Sequence, residues 1–171
     1  VLENISPPSC SIVGNFKNRL FLAGLENKLE VRYSKLLQEK VGVEFNDTLF
    51  ILTSQVGGDI IALKGMDDKL IIFKENAIFY ISGDGPNNLG QQDTFTEPQL
   101  ISSDVGCSVK NSVVGTPQGL FFKSSKGIYN VAGLSLMPSL AFCPMSKKAG
   151  CFDLCLKSAG RGKFNNVVNA R

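Results

Sequence analysis

An all-β fold is what this sequence predicts, and three observations carry the expectation. One segment echoes another at a fixed spacing, short strands fill each copy, and turn residues separate those strands at hairpin lengths.

The echo comes first. LIIFKENAIFYISG, Leu70 to Gly83, returns as LFFKSSKGIYNVAG, Leu120 to Gly133, at an offset of 50 residues. Upstream, IIALKGMDDKLIIF from Ile60 falls without a gap on KNSVVGTPQGLFFK from Lys110, so Leu63 meets Val113 and Gly65 meets Gly115. A further step of 50 reaches SCSIVGNFKNRLFLAG, where Val13, Leu20, Phe21 and Leu22 fall on Leu63, Leu70, Ile71 and Ile72. After Gly24 this first copy needs about one inserted residue before KLEVRYS resumes the alternation.

The unit is made of strands. Thr48–Ser54 (TLFILTS), Asp59–Gly65 (DIIALKG), Lys69–Glu75 (KLIIFKE) and Ala77–Gly83 (AIFYISG) are rich in Ile, Leu, Phe and Tyr, and GG, MDD and EN separate them. These are turn residues at hairpin loop lengths. SKLLQEK, Ser34 to Lys40, is the one ambiguous helical stretch. Four antiparallel strands in about 50 residues match a β-propeller blade, whereas a sandwich of unrelated strands would not explain a gap-free period. The reading is therefore a partial propeller over residues 1–140, with repeats near 10–35, 48–83 and 98–133. Propellers close with about 4 to 8 blades. Three copies leave open ends, so the ring is expected to be completed by residues outside this chain or by another chain.

With 171 residues and 43% hydrophobic content the chain can bury a sizeable core. A formal net charge of +3 with interspersed signs argues against a wholesale electrostatic grip on nucleic acid or lipid. Charge gathers only at the end, where Lys147, Lys148, Lys157, Arg161, Lys163 and Arg171 face the single acid Asp153. Residues 141–171 also lose the strand alternation and hold Cys143, Cys151 and Cys155, so they are read as a separate basic, Cys-containing segment. No apolar run reaches the ~20 residues needed to span a bilayer. VLENISPPSC at the start has no leader-like pattern and no initiator Met, which favours a fragment over a processed chain. The five Cys residues, with Cys10 and Cys107 the others, are expected to be free thiols.

No catalytic, cofactor or metal site is expected. The chain has no histidine, so Ser-His-Asp and Cys-His sites are excluded. The tail spacing C-x7-C-x3-C lacks a zinc knuckle. GDGPNNLG, Gly83 to Gly90, lacks the GK[ST] of a phosphate loop, and its Asp84, Asn87, Asn88 and Asp93 lack the alternation of a calcium loop. It is read as a long surface loop. Asp67 and Asp68 are read as turn residues, since the aligned third copy has Pro117 and Gln118 there. Phe73, Phe79, Tyr80, Phe121, Phe122 and Tyr129 recur at matching strand positions, as core layers do, rather than forming a stacking platform for sugars or bases.

The segment Asn18 to Gly133 resembles the propeller domains of tail proteins from short-tailed bacteriophages, the tail nozzle or tail tubular B proteins and related hub proteins. Carrying the resemblance are Ile101, Ser103, Asp104, Gly106 and Cys107, then Val114, Thr116, Pro117, Gly119 and Leu120, then Lys126, Gly127, Ile128 and Tyr129. It implies a structural virion protein assembled in the bacterial cytoplasm, a hexameric ring between portal or adaptor and distal tail, with DNA passing through without specific contact. It brings no catalytic residues. Two other classes stay open on the residues alone: a propeller binding module for carbohydrate or a partner protein, with Gly83–Pro98 as its reader, and a histidine-free propeller enzyme, the weakest of the three.

Overall fold

The computed structural model describes residues 2–138. Within them the chain is all-β: three four-stranded antiparallel sheets, each a meander in sequence order. The first holds β1 (Ile12–Phe16), β2 (Arg19–Ala23), β3 (Glu30–Tyr33) and β4 (Phe50–Leu52). In the second are β5 (Ile60–Met66), β6 (Lys69–Lys74), β7 (Ile78–Ser82) and β8 (Gln99–Ser102). The third is built from β9 (Val114–Thr116), β10 (Gly119–Ser124), β11 (Gly127–Ala132) and β12 (Ser135–Pro138), with a 3-10 turn at Lys110–Ser112 before it. The segment read at 141–171 lies outside the described residues.

The 50-residue echo is a repeat of register. Phe16 pairs with Arg19, Met66 with Lys69 and Thr116 with Gly119, closing the first hairpin of each sheet at the same spacing. Three different turns achieve this. Lys17 and Asn18 both take positive φ (47° and 54°), as does Asp67 (52°), as hairpin turns that follow the strand twist require. In the third copy Pro117 cannot do so, and the positive φ moves to Gly119 (124°), a residue without the Cβ penalty.

Two expectations are corrected. The second hairpins pair Ile71 with Tyr80 and Phe121 with Asn130, again 50 apart, but Phe21 with Tyr33. Equivalence with Tyr80 would call for residue 30, so the first copy carries three extra residues where the sequence suggested one. They sit in loop 24–29, held by the amide of Leu29 on the Asn27 side chain (3.1 Å) and by Thr53, whose amide and hydroxyl both reach the Leu29 carbonyl (2.9 Å each). Nor is Thr48–Ser54 the first strand of the second sheet. Its central part is β4, which pairs with β3 through Val31 and Ile51. Gly57 and Gly58 then turn the chain to the next sheet, and β8 supplies that sheet's fourth strand. The stretch Ser34–Lys40 forms no helix.

The sheets stack face to face because each β-strand alternates its side chains. Phe21 and Tyr33 of the first sheet share one core with Leu63, Leu70, Ile72 and Phe79 of the second. On its opposite face the second sheet joins Ala62, Ile71, Phe73 and Ile78 to Leu120, Phe122 and Val131 of the third. Sheet two is thus covered on both faces, which is why Leu70, Ile71, Ile72 and Phe73 are all at 0% exposure. An unbroken apolar run is what such a strand needs. The initial strands approach closely: a Cβ on Gly14 would lie 3.0 Å from that of Leu63.

Candidate functional site

Loop 83–98, one of two long connections inside a sheet with 34–49 the other, is held down at several points. Phe95 packs edge-on against Phe21 and Tyr33, with ring centroids 5.5 and 5.0 Å apart. Lys17 pairs with Asp84 at 2.8 Å, and the Asn88 side chain accepts the amide of Leu36 at 2.8 Å. Asn87 accepts the amides of Leu89 and Gln91, which closes the loop's own turn. The loop therefore straps the first two sheets together.

Arg19 fixes the strap from beneath. Its side chain is 1% exposed and donates to the carbonyls of Ser34 (3.0 Å) and Pro86, with the guanidinium 5.7 Å from the Tyr33 ring centre and 5.9 Å from that of Phe95. No carboxylate pairs with it among the described residues. Burial lowers its pKa, and the same burial raises that of Tyr33. Carbonyl dipoles and two ring faces carry the charge. The Arg19 Nε has no hydrogen-bond partner.

Lys74 is a second buried cation, at 0% exposure, donating to the Ser54 carbonyl at 2.5 Å and lying 5.9 Å from the Phe79 ring centre. Desolvation lowers its pKa. Its own carbonyl accepts the amide of Cys107 at 2.8 Å, so this strand end anchors the link into the third sheet. Cys107 is a buried free thiol and Cys10 a partly buried one. Among the described residues no group of three or more His, Cys, Asp or Glu side chains is placed to hold a metal ion.

Besides a groove of about 610 Å³ beside Glu26, Glu30 and Arg32, two surfaces stand out for contact among the described residues. A groove of about 460 Å³ runs between β4 and Phe95–Pro98, with Phe50 and Leu52 at its lip. The other surface is the outer face of the third sheet, where Val114 is 55% exposed and Phe121 is half-buried. Of the aromatics read as core, Phe73, Phe79 and Phe122 are buried, Tyr80 and Tyr129 pack at the margin of that core, and Phe121 faces outward. Asp67 and Asp68 form the β5–β6 turn. Arg19 and Lys74 were missed by sequence reasoning. Arg19 had a signal, since its repeat partners are Lys69 and Gly119, and a departure at an otherwise regular hairpin marks a special contact.

No family model matches the chain, and no curated protein matches it.

Proposed function

We propose that the chain is a structural assembly module, a sector of a β-propeller in the tail nozzle or hub of a short-tailed phage. It works in a homo-oligomeric ring that joins the portal or adaptor to the distal tail and lets DNA pass. One observation carries the reading: three sheets with a common register stack in one direction, and Phe121 of the last sheet is only half-buried among the described residues where its repeat partners Phe21 and Ile71 are fully buried. Such a stack is a part designed to meet another surface. The resemblance in the segment Asn18 to Gly133 supplies the virion setting, and the phage tail is the location that follows from it.

The groove beside Phe95–Pro98 favours a second reading, a binding module for a carbohydrate or an extended peptide. Gly83–Pro98 would then act as a rigid wall of the site, because Arg19 and Phe95 already hold it.

Electron microscopy of the chain in its native assembly tests the first reading. A ring of copies around a central channel is expected. Saturable glycan or peptide binding by a lone particle would replace it with the second.

A further inference from the structure

Sheets have edges as well as faces, and at β4 the first sheet ends on an unguarded one. β4 is the last strand of its sheet and pairs on one side only, with β3. The amide of Tyr33 reaches the Leu49 carbonyl (3.1 Å) and the amide of Thr53 reaches the Leu29 carbonyl (2.9 Å), with Ile51 opposite Val31 between them. Backbone groups of an antiparallel strand point to alternate sides, so those of Leu49, Ile51 and Thr53 turn toward β3 and those of Phe50 and Leu52 turn away. Among the described residues no hydrogen bond meets the amide or the carbonyl of Phe50 or Leu52.

Exposed edges are commonly guarded by a proline, a lysine or a bulge. β8, the matching last strand of the second sheet, has Pro98 at its entry and a register shift at Ile78 and Phe79 of its partner. β4 has none of these within its three residues, and Phe50 and Leu52 stand 42% and 55% exposed. The groove of about 460 Å³ runs along this strand, with residues 95–98 as its far wall. That wall is fixed: Phe95 is locked between Phe21 and Tyr33, and Thr96 is bonded twice to Ser82, donating its amide (2.9 Å) and accepting on its hydroxyl (3.0 Å). Glu97 is the one charged residue lining the groove, and it joins no ion pair among the described residues.

We infer that the β4 edge takes an extended peptide as a fifth strand of the first sheet, a short apolar segment that carries a lysine or arginine. The unmet groups select this occupant. A donor and an acceptor on every second residue match the repeat of an extended backbone, whereas a carbohydrate is held mainly by side-chain groups, and Thr96 already uses its hydroxyl on Ser82. Lying about 4.8 Å from β4, such a strand turns alternate side chains into the groove. Phe50, Leu52 and Pro98 give it apolar contact there, and Glu97 favours a cation over an acid. An edge of three residues suits a short segment better than the edge of a second sheet. The inference deepens the binding-module reading and rests on it.

Amide exchange of the full chain, followed residue by residue by NMR, tests it with a pool of capped hexapeptides, acetyl-KZTZTZ-amide with Val, Leu or Phe at Z, added to ~5 mM. The expected result is a saturable slowing at the amides of Phe50 and Leu52, half-complete at roughly 0.1–1 mM, while Ile51, already bonded to β3, is unchanged. The same pool with glutamate in place of lysine is expected to bind about fivefold more weakly. Glu97→Lys, at an exposed position, reverses that preference. Leu52→Pro removes an outward donor, which an edge strand tolerates, and abolishes the effect. Peptides that slow neither amide overturn the inference, as does a charge preference that Glu97→Lys leaves in place. Slow exchange at both amides in the free chain would show that another segment of the chain fills the edge, and slowing that grows with protein concentration would show that a second copy does; either removes the peptide. Chitohexaose binding at residues 95–98 with no peptide effect would keep the binding module and remove this inference alone, whereas failure of peptides and glycan together removes both.

Discussion

The two junctions in the stack use the same repeat positions but are fastened in different ways. Between the first and second sheets, an aromatic cluster of Phe16, Phe21, Tyr33 and Phe95 fills the core, and loop 83–98 crosses over it on a buried arginine. Between the second and third sheets, Phe73 meets Phe122 at 4.9 Å, and the link runs through backbone contacts: the amide of Cys107 on the Lys74 carbonyl and that of Ser108 on the Lys123 carbonyl. Repeated strands set the geometry of both junctions. Unrepeated connections decide how firmly each is closed.

The sharpest test of that contrast is a matched pair of truncations. Phe21→Ala, in the strapped junction, is expected to cost about 3–5 kcal/mol, since a fully buried ring is lost and a cavity remains. Phe121→Ala, two repeat steps on, is expected to cost under about 1 kcal/mol at dilute concentration, because a half-exposed ring gives up less buried area. Urea denaturation of both variants measures the difference, and equal losses would mean that the third sheet is covered as well as the first.

Gly106→Ala addresses the second junction. An added Cβ would overlap the Lys74 carbonyl and approach the Asn76 amide nitrogen to 2.6 Å, so backbone has to move. The expected loss is about 1–3 kcal/mol. Hydrogen exchange should show it concentrated in the third sheet, with β1 and β2 retaining protection; uniform loss would make the three sheets one cooperative unit.

Arg19→Met removes the strap's anchor. Two carbonyls lose a donor while a costly buried charge disappears, so the net loss is expected near 1 kcal/mol. Its signature is local, a faster proteolytic cleavage within residues 87–93, and unchanged cleavage there would show that Phe95 alone holds the loop.

The smallest effect belongs to Lys74. Its folded pKa lies below the ordinary 10.5, so between the lowered value and 10.5 the unfolded chain binds more protons. Stability should therefore rise with pH across that alkaline window, and Lys74→Met should remove the rise. A slope unchanged in the variant would assign it to another group.

Much of the fold was legible because periodicity survives in residue type. The run Leu70–Phe73, the pairs of turn residues at 17–18, 67–68 and 117–118, and the 50-residue offset all follow from local rules: side chains alternate in strands, and few residues tolerate the turns that join them. These rules act over a handful of neighbours, so a linear reading finds them. What could not be read was which sheet a strand joins. Ile51 pairs with Val31 and not with the strand that follows it, and nothing in TLFILTS distinguishes the two, since an edge strand offers the same backbone groups in either direction.

The sequence by itself therefore determined the all-β class, the repeat and its spacing, because those depend on contacts within each hairpin. Only the tertiary structure decided that β4 closes the first sheet, that Arg19 and Phe95 tie a loop across two sheets, and that Phe121 faces outward while Phe21 does not. Each of those outcomes depends on residues far apart in the chain, or on which neighbour comes next in the stack, and a residue's own identity carries no record of either.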